Sequence, residues 1–251
     1  MKKLFTAILT AVLFFGISTA YAQSSATGSM IKFQTYGGPE ANAYYVPATG
    51  GVTNKVMIIV HDWNGLDESA KAEAIRWEGL LEGHVAIYAV DLYDGKTATS
   101  AFEAGKLMTN LDEKRAEAIV TGLLEKIGTG KQISTLGWGL GGTWAFITSA
   151  IAGTKAAGCV MYAAYPVKEE SRFAQFKTDA LYMLSVNDEY VSRSVMETYQ
   201  QKVTGAGRGF MFETFTGRHG FANVGNPAYQ QVEANETQNM AIRFLRHKMA
   251  L

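Results

Sequence analysis

Three separated pieces of this sequence carry residue types that together could perform hydrolytic chemistry: the cluster Gly137-Trp138-Gly139-Leu140-Gly141-Gly142, an acid at Asp188 and an imidazole at His219. An apolar run over 133–137 enters the cluster and Thr143-Trp144-Ala145-Phe146 leaves it, so the glycines mark a strand-to-helix turn. Gly137 and Gly141 are the flanking residues of a G-x-Nu-x-G pattern, where small residues permit the tight turn that pushes a nucleophile into a site. The nucleophile position is Gly139, which has no side chain. A carboxylate and then a histidine, each just after a later apolar run, is the chain order in which an acid orients an imidazole that acts as base. Asp188 and His219 are therefore expected to hydrogen-bond to each other. The acid and base stand ready without their usual client.

The same glycines admit a second reading. Gly137, Gly139 and Gly142 satisfy G-x-G-x-x-G, in which backbone amides at a helix start hold a pyrophosphate. That chemistry expects an acidic ribose-binding residue about 20 positions on. The stretch Val160-Met161-Tyr162-Ala163-Ala164-Tyr165-Pro166 offers no carboxylate before Glu169.

These residues need a frame. Short apolar runs at 31–36, 43–46, 56–60, 85–90, 133–137, 158–162, 180–186 and 209–215 read as strands, several of them apolar on both faces as buried parallel strands are. Helical patterns lie between them at 69–81, 101–127, 142–152, 191–203 and 227–249, the last with Pro227 near its first turn. Alternation of this kind specifies an α/β fold with a mostly parallel central sheet and helices on both faces. Without an internal linker, repeat or low-complexity tract, residues 30–251 read as one domain, preceded by a short flexible stretch at 23–29.

With 251 residues, 47% of them hydrophobic, and 23 basic against 23 acidic side chains, the chain is neither disordered nor built to bind a phosphate backbone, so no nucleic-acid partner is expected. Its single cysteine excludes a disulfide scaffold. Residues 1–22 read as a secretory signal: Lys2 and Lys3, an apolar stretch, and Ala20-Tyr21-Ala22 at the cleavage site. Cleavage after Ala22 would leave a slightly acidic periplasmic or secreted protein beginning at Gln23, with no stable membrane anchor.

On four segments taken together the sequence resembles the dienelactone hydrolase family of α/β-hydrolases, from about Met30 to the C-terminus. They are His61-Asp62-Trp63-Asn64-Gly65, Asp91-Leu92-Tyr93-Asp94-Gly95, the glycine turn, and the Asp188 and His219 segments. The resemblance implies the α/β-hydrolase fold and hydrolysis of a small carboxylic ester or lactone by a cysteine at the elbow. Gly139 stands at that cysteine's position, and Asp62 stands where family members usually carry the glutamate that engages the thiol at rest. The family's oxyanion hole carries over to the backbone N–H groups of Trp63 and Leu140. Asn223 falls where some members place an arginine for a substrate carboxylate.

Asp62, Tyr93, Trp138 and Asn223 are thus expected around the pocket, with Tyr165 as a further wall. His61 is expected to bond to nearby backbone, and Cys159, inside an apolar run, to be buried and inert. No histidine pair has metal-ligand spacing, and neither a metal nor another cofactor is expected. Two functions from different classes remain open. One is a weak or altered hydrolase in which His219 deprotonates a water lodged in the space left by Gly139; the other is a non-catalytic binder of a small ester, lactone or related carbonyl compound. Nucleotide binding is the third.

Overall fold

The computed structural model describes residues 26–224 and 226–251. The expected signal segment lies outside them. Eight strands form one sheet in the order β1-β2-β4-β3-β5-β6-β7-β8. They are β1 (Ser29–Phe33), β2 (Ala41–Val46), β3 (Lys55–Val60), β4 (Ala86–Val90), β5 (Gln132–Trp138), β6 (Ala156–Tyr162), β7 (Ala180–Ser185) and β8 (Phe210–Phe215). Only the pairings of β2 with β1 and β4 are antiparallel; the six strands from β4 to β8 run parallel.

Side-chain alternation divides the core. Along β3, Val56, Ile58 and Val60 join a cluster with α3 (Glu113–Ile127), α4 (Leu140–Ala152) and α6 (Arg193–Gly205), whereas Met57 and Ile59 point to α1 (Glu68–Leu80) and α7 (Gln231–Met249). A strand that buries both faces reads as a continuous apolar run. Among the described residues no helix is long and apolar enough to cross a membrane.

Several boundaries differ from the sequence expectation. The pattern over 101–127 is two helices, α2 (Ala101–Thr109) and α3, because the Asp112 carboxylate accepts the backbone N–H groups of Lys114 and Arg115 and starts a new helix. A short α5 (Ser171–Gln175), absent from the expectation, supplies Phe173, which packs against Phe146. β1 ends at Phe33, not at Tyr36, as the chain turns away through Gly37 and the Thr35 hydroxyl bonds to the Pro39 carbonyl. The last helix starts at Gln231, not at Pro227, since Asn226 Oδ1 accepts the Ala228 N–H and holds that stretch as a turn. α4 begins at Leu140, directly after Gly139.

Candidate active site

All the chemistry-bearing segments leave the C-terminal ends of parallel strands, where open α/β sheets place their sites. β3 delivers His61, Asp62 and Trp63; β5 delivers Gly139; β7 delivers Asp188; β8 delivers His219.

The turn at Gly139 is sharp, with φ 53° and ψ −117°, a conformation that a residue bearing a β-carbon adopts only under strain. Its N–H bonds to the Tyr162 carbonyl at 2.8 Å, and its own carbonyl accepts from Thr143 N–H. Gly141 is required for a different reason: a β-carbon there would run into the Val60 carbonyl. The glycines let α4 start hard against β3 and β5. Little space is left for a pyrophosphate at that helix start, and the place beside it is already taken by the Asp62 carboxylate.

Asp188 and His219 do meet. His219 Nδ1 lies 2.9 Å from Asp188 Oδ2, and Asp188 Oδ1 also accepts the backbone N–H groups of Tyr190 and Val191 at 3.0 and 2.8 Å. With its side chain 1% exposed, Asp188 is a fixed acceptor that holds the proton on Nδ1 and leaves Nε2 free on the far side of the ring. Burial pulls the His219 pKa down, but the hydrogen bond and charge of Asp188, with help from Asp62 and Glu189, outweigh it and leave the imidazole above its ordinary value. Tyr190 packs edge-on to the imidazole at 5.1 Å between centroids, and Tyr165 lies at 6.0 Å. Glu189 Oε2 accepts the His219 backbone N–H. Neither Glu189 nor Tyr190 was singled out from sequence, though their adjacency to Asp188 was the available signal.

His61 is a structural lock. Its Nε2 accepts the Leu92 N–H at 3.0 Å, so the proton resides on Nδ1, which donates to the Asp62 carbonyl at 2.7 Å. Burial pulls its pKa down, in keeping with a neutral ring. The lock fastens the β3 loop to the end of β4 and so fixes where Asp62 and Trp63 stand.

Asp62 holds the unexpected position. A β-carbon built on Gly139 would lie 2.7 Å from its Oδ1. Its Oδ2 accepts from Asn223 Nδ2 at 3.2 Å, and the nearby backbone N–H groups of Trp63 and Leu140 favour its charged form. Burial drives the acid's pKa up, and those donors, together with the charge of His219, only partly counter it. Beside Asp62, a cavity of about 10 Å³, bounded by Gly139, Ala163 and His219, matches a single water. On its other side opens a cavity of about 400 Å³, bordered by Trp63, Trp138, Asn223 and Ser100. That volume suits a small organic molecule.

Tyr93, expected in the pocket wall, packs on His61 at 4.8 Å and borders a separate cavity of about 260 Å³ with Lys96 and Arg115. Trp138 stacks on Tyr162 and borders both cavities at Asp62. Cys159 is fully buried, its thiol pushed up to about 12 by desolvation, which excludes it as a substitute nucleophile. Among the described residues no group of three His, Cys, Asp or Glu side chains could hold a metal ion.

Residues 42–249 match the dienelactone hydrolase family. The chain belongs to that family. It is 25% identical over 230 residues to the protein named usf from Aquifex pyrophilus, covering 87% of this chain and 98% of that one. A dienelactone hydrolase-like promiscuous phosphotriesterase from metagenomic libraries superposes with a TM-score of 0.73 at 13% identity, covering 88% of this chain and 98% of that one. Thermogutta terrifontis esterase 2 gives 0.64 at 13% identity, over 88% and 94%. At these identities the solved structures show the shared α/β-hydrolase fold alone.

Proposed function

We propose that this dienelactone hydrolase family member is an exported, slow hydrolase of small carboxylic esters or lactones that works without a side-chain nucleophile. The observation that carries the reading is the His219–Asp188 pair at 2.9 Å beside a water-sized cavity walled by Gly139. A water there gives its proton to His219 Nε2 as its oxygen attacks the carbonyl, and Asp188 stabilises the imidazolium that forms. The alkoxide leaving group then takes that proton back.

For the carbonyl oxygen to reach the Trp63 and Leu140 amides, the Asp62 carboxylate must move aside. That competition, and the missing thiol, set the rate low. Hydrolases of this kind stripped of one triad member retain roughly 10³–10⁴-fold over water. Export rests on residues 1–22 and is tested by N-terminal sequencing of the protein recovered from the cell envelope, which should begin at Gln23; an intact Met1 would refute it. Activity is tested with 4-nitrophenyl acetate, whose turnover should vanish in His219→Ala.

Capture of a carbonyl ligand without turnover is the second reading, favoured by the missing nucleophile at Gly139 and the Asp62 carboxylate that stands in its space. Thermal stabilisation by a small lactone with no product would select it.

A further inference from the structure

Two cavities of different character adjoin the glycine turn. On the Asp62 side, the 400 Å³ cavity is bordered by polar side chains that include Asn64, Ser100 and Asn223. Elsewhere a groove of about 720 Å³ runs between α2, α3, α4 and the segment that follows β6. Its volume lies in the range of small-molecule sites. The groove reaches the site at Leu140, the residue after Gly139, and at Tyr165, whose ring lies 6.0 Å from the His219 imidazole. The Tyr165 carbonyl accepts from the hydroxyls of Thr143 and Tyr199 at 3.1 and 2.7 Å, so this mouth is held in place. Beyond it the lining is apolar: Trp144, Ile147, Leu111, Met108 and Val167.

The charges around the groove are mostly committed to one another. Lys168 bonds to Glu113 at 2.8 Å, Arg172 bonds to Glu117 and Glu169, and the Asp112 carboxylate caps α3. Lys114 is exposed to solvent. An uncharged chain can therefore lie on the apolar lining without breaking an ion pair. We propose, building on the ester reading above, that the groove receives such a chain. The preferred substrates are then esters or alkyl-substituted lactones whose carbonyl stands at His219, whose alkyl chain runs along Trp144 and Ile147, and whose polar part faces Asn223. Each methylene that leaves water strengthens binding by up to about 4-fold, the equivalent of about 0.8 kcal/mol. In an open groove only part of that is realised.

The test separates the chain from the chemistry. The native protein is titrated calorimetrically with 2-butanone and 2-decanone, ketones that carry a carbonyl but cannot be hydrolysed. 2-Decanone should bind at least 10-fold more tightly. A 2-decanone with a diazirine at the far end of its chain should, on illumination, label α2, α3, α4 or residues 165–172, a readout that needs no variant to fold. Ile147→Glu, used only if its melting curve shows a folded protein, should bring 2-decanone binding down toward that of 2-butanone. In turnover, 4-nitrophenyl octanoate should exceed the acetate in kcat/KM on the native chain. A protein that turns over neither ester yet still prefers 2-decanone would sink the ester reading and keep the groove. Equal affinities for the two ketones, or a photolabel confined to other segments, would overturn the proposal.

Discussion

Asp62 Oδ1 lies 2.7 Å from the point where a β-carbon on Gly139 would stand, so the carboxylate of one strand-end loop has entered space that the nucleophile of the other would need. The two positions are 77 residues apart in the chain and face each other only because β3 and β5 are neighbours in the sheet. Restoring the family's cysteine therefore involves both.

Gly139→Cys should cost stability and give modest activity. A side chain at φ 53° and ψ −117° is strained by about 1–3 kcal/mol, and the new β-carbon pushes on Asp62. Thermal denaturation should show a lower Tm. Under reducing conditions, Gly139→Cys combined with Asp62→Ala should hydrolyse 4-nitrophenyl acetate faster than Gly139→Cys alone, because the amides of Trp63 and Leu140 are then open to substrate. Equal rates would show that Asp62 does not compete for them.

Asp62→Ala by itself should raise ester hydrolysis roughly 10-fold or more, the scale expected when oxyanion donors become available to the substrate. The comparison is made by kcat/KM on the same ester. A fall would mean that the carboxylate assists the carbonyl reaction instead of obstructing it.

The Asp62 carboxyl is held above its ordinary pKa by burial, so folding makes the acid hold its proton more tightly than in the unfolded chain. That contribution is complete below the unfolded pKa and disappears as pH rises through the folded one. Asp62→Asn carries no charge to bury and should exceed the native Tm at neutral pH, with the difference shrinking as pH is lowered toward 4. Melting curves across that range provide the check.

His219 acts as base only when neutral, and its pKa is held above its ordinary value by Asp188. Ester hydrolysis should climb with pH through a midpoint higher than that of a free imidazole. Asp188→Asn removes the charge that raises the midpoint and the acceptor that fixes the tautomer. Its profile should shift to lower pH, and its plateau should fall by on the order of 10²–10⁴. An unmoved midpoint would sever the two residues.

Much of this was legible in residue order. Runs such as Val56 to Val60 are apolar on both faces and can only be central strands, and the glycines from 137 to 142 announce the turn. The order of Asp188 and His219 behind later strands told that they meet, as they do. The break between α2 and α3 was hidden because Leu107 and Leu111 keep helical spacing across it, while its cause is a single capping side chain at Asp112. α5 is too short for any periodicity to show. Asp62 is legible as a pocket residue, but its place against Gly139 depends on a rotamer and on Asn223, 161 residues away, and no local pattern encodes that. Tyr93 misled for a related reason: an aromatic at a strand end can face the site or, as here, brace the histidine behind it.

Steady-state hydrolysis of 4-nitrophenyl acetate and a small unsaturated lactone, measured together for the purified protein and its His219→Ala variant, tests most directly whether the imidazole drives water without a side-chain nucleophile. The predicted result is slow, sustained turnover by the native chain that drops on the order of 10²-fold or more in the variant. Equal rates for the two proteins would contradict it.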